Sequence, residues 1–122
     1  MSRIKKIYKI NSSVREFTKG YFIYLHEVLN KIDTNQIVKL VNHFEKSRKD
    51  QSTIFVAGNG GSATTATSMA NDIGFDIIKK TGVKKAFKIL SLNDNNAVIT
   101  AIANDVGYEN IFLNQLKIHY KK

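Results

Sequence analysis

Thr53-Ile54-Phe55-Val56-Ala57-Gly58-Asn59-Gly60-Gly61-Ser62-Ala63 is the stretch from which the rest of the chain can be read. Thr53 to Ala57 is mostly β-branched or aromatic, the composition of a buried strand. Gly58 to Ser62 follows without a spacer, and Ala63 to Ala70 contains nothing that stops a helix. A strand that runs through glycines into a helix N-terminus suits an anion. The glycines allow close backbone approach, and free N–H groups with the positive end of the helix dipole face the ligand. A phosphorylated small molecule is therefore the first expectation at this turn.

Downstream, the helix is expected to end near Asp72, with Met69 and Ile73 pointing inward, and Gly74 to Lys85 reads as an exposed basic connection. Ala86 to Leu92 reads as a second strand. Strand, helix, connection and strand make a βαβ unit, which predicts parallel pairing with a right-handed crossover. Asn93 to Asn96 is a turn and cap cluster. Ala97 to Ala103 has strand propensity, but its place after a capping cluster predicts a short buried helix. Asn104-Asp105-Val106-Gly107 should break it, and Tyr108 to Tyr120 forms a last helix.

Upstream, residues 1–11 read as a mobile or partly helical basic lead-in. Ser13 to Glu16 fits a capping box. Val14, Phe17, Tyr21, Leu25, Val28 and Ile32 then recur at spacings of three and four, an amphipathic helix with an apolar face wide enough to pack against another subunit. Simple core packing accounts for that face equally well. Gly20 sits inside this helix at a cost of up to ~1 kcal/mol against alanine. Asp33 or Thr34 caps a second helix carrying Ile37, Leu40, Val41 and Phe44. The expected organisation is one partial domain, with a helical region over 1–50 and a βαβ core over 51–122. Two parallel strands cannot make a well-covered sheet, so the chain reads as the first part of a doubly wound α/β fold, incomplete at its C-terminus.

Composition narrows the function classes. The 122 residues contain no cysteine, which excludes disulfides and thiolate metal sites. No apolar run approaches the roughly 20 residues that span a bilayer, and the N-terminus lacks the apolar core of a signal peptide. The expectation is a cytoplasmic protein with no membrane partner. The net charge of +9 could mark nucleic-acid binding. Its lysines, however, are dispersed as pairs (Lys5-Lys6, Lys79-Lys80, Lys84-Lys85, Lys121-Lys122), and a solvated lysine-rich surface is the simpler reading. His26 and His43 stand without partners at metal-ligand spacing.

The loop itself discriminates between ligands. Gly61-Ser62 lacks the lysine of a nucleoside triphosphatase loop. Gly58, Gly60 and Ala63 match a dinucleotide spacing, but the acidic residue expected about 20 positions on is missing, since Asp76 comes too early and Asp94 too late. Phe55 to Ala63 instead resembles the signature of the sugar isomerase (SIS) domain, and within that group the phosphoheptose isomerases. Ala103-Asn104-Asp105-Val106-Gly107-Tyr108-Glu109-Asn110-Ile111-Phe112 resembles a second block of the same family.

The resemblance implies a flavodoxin-type sheet and isomerisation of sedoheptulose 7-phosphate to a D-glycero-D-manno-heptose 7-phosphate, a step toward surface-polysaccharide heptose. It implies that Asn59, Gly60, Gly61 and Ser62 contact the sugar phosphate and that Asn104 and Asp105 contact its hydroxyls. Asn104-Asp105 also fits a plain turn after a helix. The family's catalytic glutamate lies ten residues beyond the loop serine. That position is Asp72, a carboxylate one methylene shorter. Some relatives bind zinc through a histidine six residues beyond the serine, where this chain has Ser68, so no metal or other cofactor is expected. Relatives form homotetramers through their N-terminal helices, which implies a homo-oligomer here, dimer or tetramer. A second phosphate loop and a C-terminal histidine of the family have no counterpart in these 122 residues, which predicts little or no isomerase activity for them alone. The alternative is a non-catalytic SIS module that binds a sugar phosphate or a protein, like those that bind the replication initiator.

Overall fold

The computed structural model describes residues 1–11 and 13–120, so the Lys121-Lys122 pair lies outside the described residues. The chain divides into two compact units, Met1–Lys39 and Leu40–Lys122.

In the first unit, α1 (Arg3–Ile10) and α2 (Val14–Leu29) form a helical pair. The lead-in is thus helical over Arg3–Ile10, the second of the two forms expected of it. Ser2 caps it by accepting from the Lys5 N–H at 3.3 Å, and Tyr8 packs edge-on against Phe17 with ring centroids 5.7 Å apart. Arg3 pairs with Glu27 and lies over the Tyr24 ring. Of the apolar stripe, Phe17 and Tyr21 are half-buried, whereas Val14, Leu25, Val28 and Ile32 stay exposed. Gly20 has its reason here, because a Cβ would come within 2.9 Å of Ile7 Cγ2. Ser13 caps α2 as the capping box predicts, its hydroxyl accepting from the Glu16 N–H at 3.2 Å. Asp33 accepts from the Asn35 N–H at 2.9 Å and opens α3 (Thr34–Asp50), within which the boundary between the units falls.

In the second unit, β1 (Thr53–Val56) and β2 (Lys88–Ser91) pair in parallel with Thr53 opposite Lys88 and Val56 opposite Ser91. The parallel pairing expected of the βαβ unit is met. Between the strands, α4 (Gly61–Asn71) begins two residues earlier than expected. The helical path then continues through a π-helical turn, Asp72–Asp76, into α5 (Ile77–Thr81). The basic connection is therefore much shorter than the sequence suggests. Gly74 is what lets the path continue close to the sheet, since a Cβ there would meet Ile89 Cγ2 at 3.2 Å. Ile73 and Ile77 join Leu40, Val41, Phe44 and Phe87 in lining an apolar cleft of about 270 Å³. Glu45 pairs with Arg48, and their hydrogen bond holds the Glu45 carboxyl below its usual range and raises Arg48.

Beyond β2, α6 (Asn96–Val106) is the helix predicted over strand propensity, because Asn95 caps it through its side chain, accepting from the Val98 N–H at 3.1 Å. The predicted break at Asn104 comes later. Asn104 and Asp105 lie within the last turn of α6, and Gly107, with φ of 101°, ends it. A 3₁₀ turn (Tyr108–Asn110) leads into α7 (Ile111–His119). The buried apolar side chains among the described residues are Ala66, Leu92 and Ile111, and Ser91 and Gln115 are the buried polar ones. This small core gathers around the C-terminal end of β2, directly beneath the glycine loop.

Candidate functional site

β1 delivers its backbone to Gly58, where the chain turns. A Cβ on Gly58 would lie 2.2 Å from the Ser62 carbonyl oxygen, so the loop closes onto this residue. Gly60 takes φ of 55° and ψ of −124°, a conformation that favours glycine. Ser62 N–H donates to the Asn59 carbonyl (3.1 Å) and Ala63 N–H to the Gly60 carbonyl (3.0 Å), which folds the turn. No side chain caps α4, so the positive end of this helix faces outward over Gly60, Gly61 and Ser62, all exposed.

Two side chains from elsewhere hold the loop. Asn93, just beyond β2, accepts from the Gly58 N–H and donates to the Gly58 carbonyl, both at 2.8 Å. The Tyr108 hydroxyl donates to Asn59 Oδ1 at 2.8 Å. Asn59 Nδ2 then has no partner among the described residues and is available as a donor. The N–H groups of Gly58, Ser62 and Ala63 are thus engaged within the protein. Those of Asn59 and Gly60, with Asn59 Nδ2 and the Ser62 hydroxyl, have no acceptor among the described residues, and such donors suit an oxyanion. Beside the loop, Phe55, Ala57, Ser62, Thr65 and Met69 line an open cleft of about 420 Å³.

The other expected site residues are placed as follows. Asp72 is exposed at the start of the π-helical turn, where its carboxylate accepts from Asn71 Nδ2 at 3.2 Å and its carbonyl from the Ile77 N–H. Ser62 and Asp72 thus stand at opposite ends of α4, about 15 Å apart along its axis at ~1.5 Å per residue. Asn104 and Asp105 are bonded to each other at 2.9 Å and are exposed. None of Asp72, Asn104 and Asp105 is hydrogen-bonded to the loop among the described residues. The link from the second sequence block to the loop is Tyr108, which reading by residue type passed over. Asn93 was visible only as a turn former, because its partner lies 35 residues away. Ser68 is exposed on α4, and among the described residues no three His, Asp or Glu side chains gather as a metal site requires. This donor set does not fit zinc.

An α/β unit whose first strand enters a helix through Gly-Asn-Gly-Gly-Ser, with Tyr108 of the Asn-Asp-Val-Gly-Tyr block bonded to the loop, resembles the sugar isomerase type. The proteins it is similar to are phosphoheptose isomerases. The one from Sulfurimonas denitrificans is 33% identical over 119 residues, covering 94% of this chain and 51% of that protein. The one from Leptospira biflexa is 39% identical over 71 residues, covering 58% of this chain and 36% of that protein. Among solved structures, phosphoheptose isomerase GmhA from Neisseria gonorrhoeae superposes with a TM-score of 0.70 at 22% identity, covering 89% of this chain and 56% of that one. The likeness read from the two sequence blocks is borne out, and the fold is that of GmhA. The chain spans about half the length, or less, of these relatives. No family model matches the chain.

Tyr108→Phe is expected to release the Asn59 side chain and to quicken amide hydrogen exchange at Asn59 about three- to tenfold, the loss of one net hydrogen bond of roughly 0.5–1.5 kcal/mol. Its thermal unfolding midpoint should stay at the wild-type value, because Tyr108 is 62% exposed.

Proposed function

We propose that this chain binds a seven-carbon sugar phosphate and serves in a phosphoheptose isomerase. The observation that carries the reading is that α4 starts without a side-chain cap, beneath a loop in which the Tyr108 hydroxyl occupies Asn59 Oδ1 and leaves Asn59 Nδ2 as a donor. In this reading Asn59, Gly60, Gly61 and Ser62 hold the sugar phosphate, and Asn104 and Asp105 bind its hydroxyls. The substrate lies along α4 toward Asp72. There the carboxylate takes the proton from C1 of the ketose, forming an enediol, and returns it to C2. Ser68 stands where some relatives carry a zinc-binding histidine, so this chain supplies no zinc ligand at that position.

The setting is cytoplasmic heptose synthesis. No helix among the described residues is long and apolar enough to cross a membrane. The protein works as a homo-oligomer, which the exposure of Phe22, Ile23 and Leu29 on α2 supports. A second reading, a non-catalytic module for sugar-phosphate or protein binding, is favoured by Asp72, whose reach is shorter than a glutamate's. Titration of the 122-residue chain with sedoheptulose 7-phosphate, a mononucleotide and duplex DNA tests the proposal. Binding to the sugar phosphate alone is expected; binding to DNA without sugar phosphate would end it. Turnover in a coupled assay that is lost on Asp72→Asn would decide between isomerase and non-catalytic module.

A further inference from the structure

The last backbone rung of the parallel pair is the Leu92 N–H donating to the Val56 carbonyl at 2.9 Å. One residue later the pairing continues, but the Asn93 side chain has replaced the backbone. A carboxamide carries a coplanar donor and acceptor, so it can satisfy both the N–H and the C=O of one residue. Asn93 does this to Gly58, with both bonds at 2.8 Å. Its own placement is fixed from below. Its N–H donates to the Ser91 hydroxyl at 3.1 Å, and Ser91 is buried. Thr67 of α4 lies 3.4 Å from that hydroxyl and donates to Asp94 at 2.7 Å. The turn after β2, the helix after the loop and the loop itself are tied into one network.

We infer that Asn93 is a positioning residue for ligand binding, holding Gly58 so that Asn59 to Ser62 stand in their receiving shape before a ligand arrives. Its role in affinity rests on the sugar-phosphate reading above, whereas its hold on the loop does not. A loop already in place saves the ordering entropy that binding would otherwise spend. No shorter or singly functional side chain reproduces the two bonds. Serine offers one rotatable hydroxyl, and aspartate turns an acceptor toward the Gly58 carbonyl.

The experiment has two readouts on the whole chain. Amide hydrogen exchange without ligand is expected to quicken about tenfold or more at Gly58 in Asn93→Ala, with α7 protection unchanged. Titration should show sedoheptulose 7-phosphate binding about ten- to a hundredfold more weakly, the loss of two net hydrogen bonds. Asn93→Asp is the second variant should Asn93→Ala fail to fold, and it is expected to lose affinity at least as strongly. Wild-type loop exchange in either folded variant overturns the clamp. Quickened exchange with wild-type affinity overturns the role in binding. A wild-type chain that binds no sugar phosphate overturns the functional reading instead, and exchange at Gly58 then decides the clamp by itself.

Discussion

Gly58→Ala is expected to abolish the sugar-phosphate binding proposed above and to destabilise the second unit by about 3 kcal/mol, the upper range for forcing a methyl group into filled space. The added Cβ would lie 2.2 Å from the Ser62 oxygen, 2.3 Å from its carbonyl carbon and 2.7 Å from the Ala63 nitrogen. These are backbone atoms of the turn and the start of α4, so no side chain can rotate away. Relief requires moving the loop off the helix, which also breaks the two bonds to Asn93. Gly60→Ala makes a sharp comparison. Its Cβ would enter open space, and only the backbone conformation, φ of 55° with ψ of −124°, opposes it, at ~1–3 kcal/mol. Urea unfolding of the two variants should therefore rank Gly58→Ala as the costlier, and titration should find residual binding in Gly60→Ala alone. Equal binding by both would show that the turn does not need to close onto Gly58.

What the sequence disclosed and what it concealed divide along one physical line. Features set by neighbours in the chain were legible. The β-branched run at Thr53, the glycine turn, the Asn95 cap that makes α6 a helix and the capping box at Ser13 are all decided within a few residues. Features set by distant partners were not. The helix beyond Asp72 looked finished at Gly74, yet that glycine serves a close approach to Ile89 of β2. Residues 3–10 look like a basic tail until Tyr8 and Ile7 are seen against Phe17 and Gly20 of α2. The site follows the same rule. The loop was readable by its own composition, whereas Asn93 and Tyr108 reach it from 35 and 49 residues away. Asn104 and Asp105 looked like a turn because both residues favour turns, but the helix runs on until Gly107 stops it.

Leu92→Ala carries the second large effect, and it is expected to fall on stability rather than on the ligand. Leu92 is 2% exposed and shares with Ala66 and Ile111 the only buried apolar positions among the described residues. Truncating a buried leucine costs about 2–5 kcal/mol from lost transfer energy and the cavity left behind. A domain with ~5–15 kcal/mol in total loses much of its margin. The backbone of Leu92, however, is held independently of its side chain. Its N–H donates to Val56, and its carbonyl accepts from Gln115 Nε2 at 3.0 Å, Gln115 being itself buried. The turn that carries Asn93 should thus survive in whatever fraction remains folded. Urea midpoints should fall steeply for Leu92→Ala and little for Leu92→Met, which conserves volume. Below the unfolding transition, the affinity of Leu92→Ala for sedoheptulose 7-phosphate should match wild type once corrected for the folded fraction. Asn93→Ala should show the reverse weighting, with a smaller fall in midpoint than Leu92→Ala and a large loss of affinity. If Leu92→Ala weakened binding while fully folded, core and loop would be coupled through the side chain, and the division of labour between these two neighbours would be refuted.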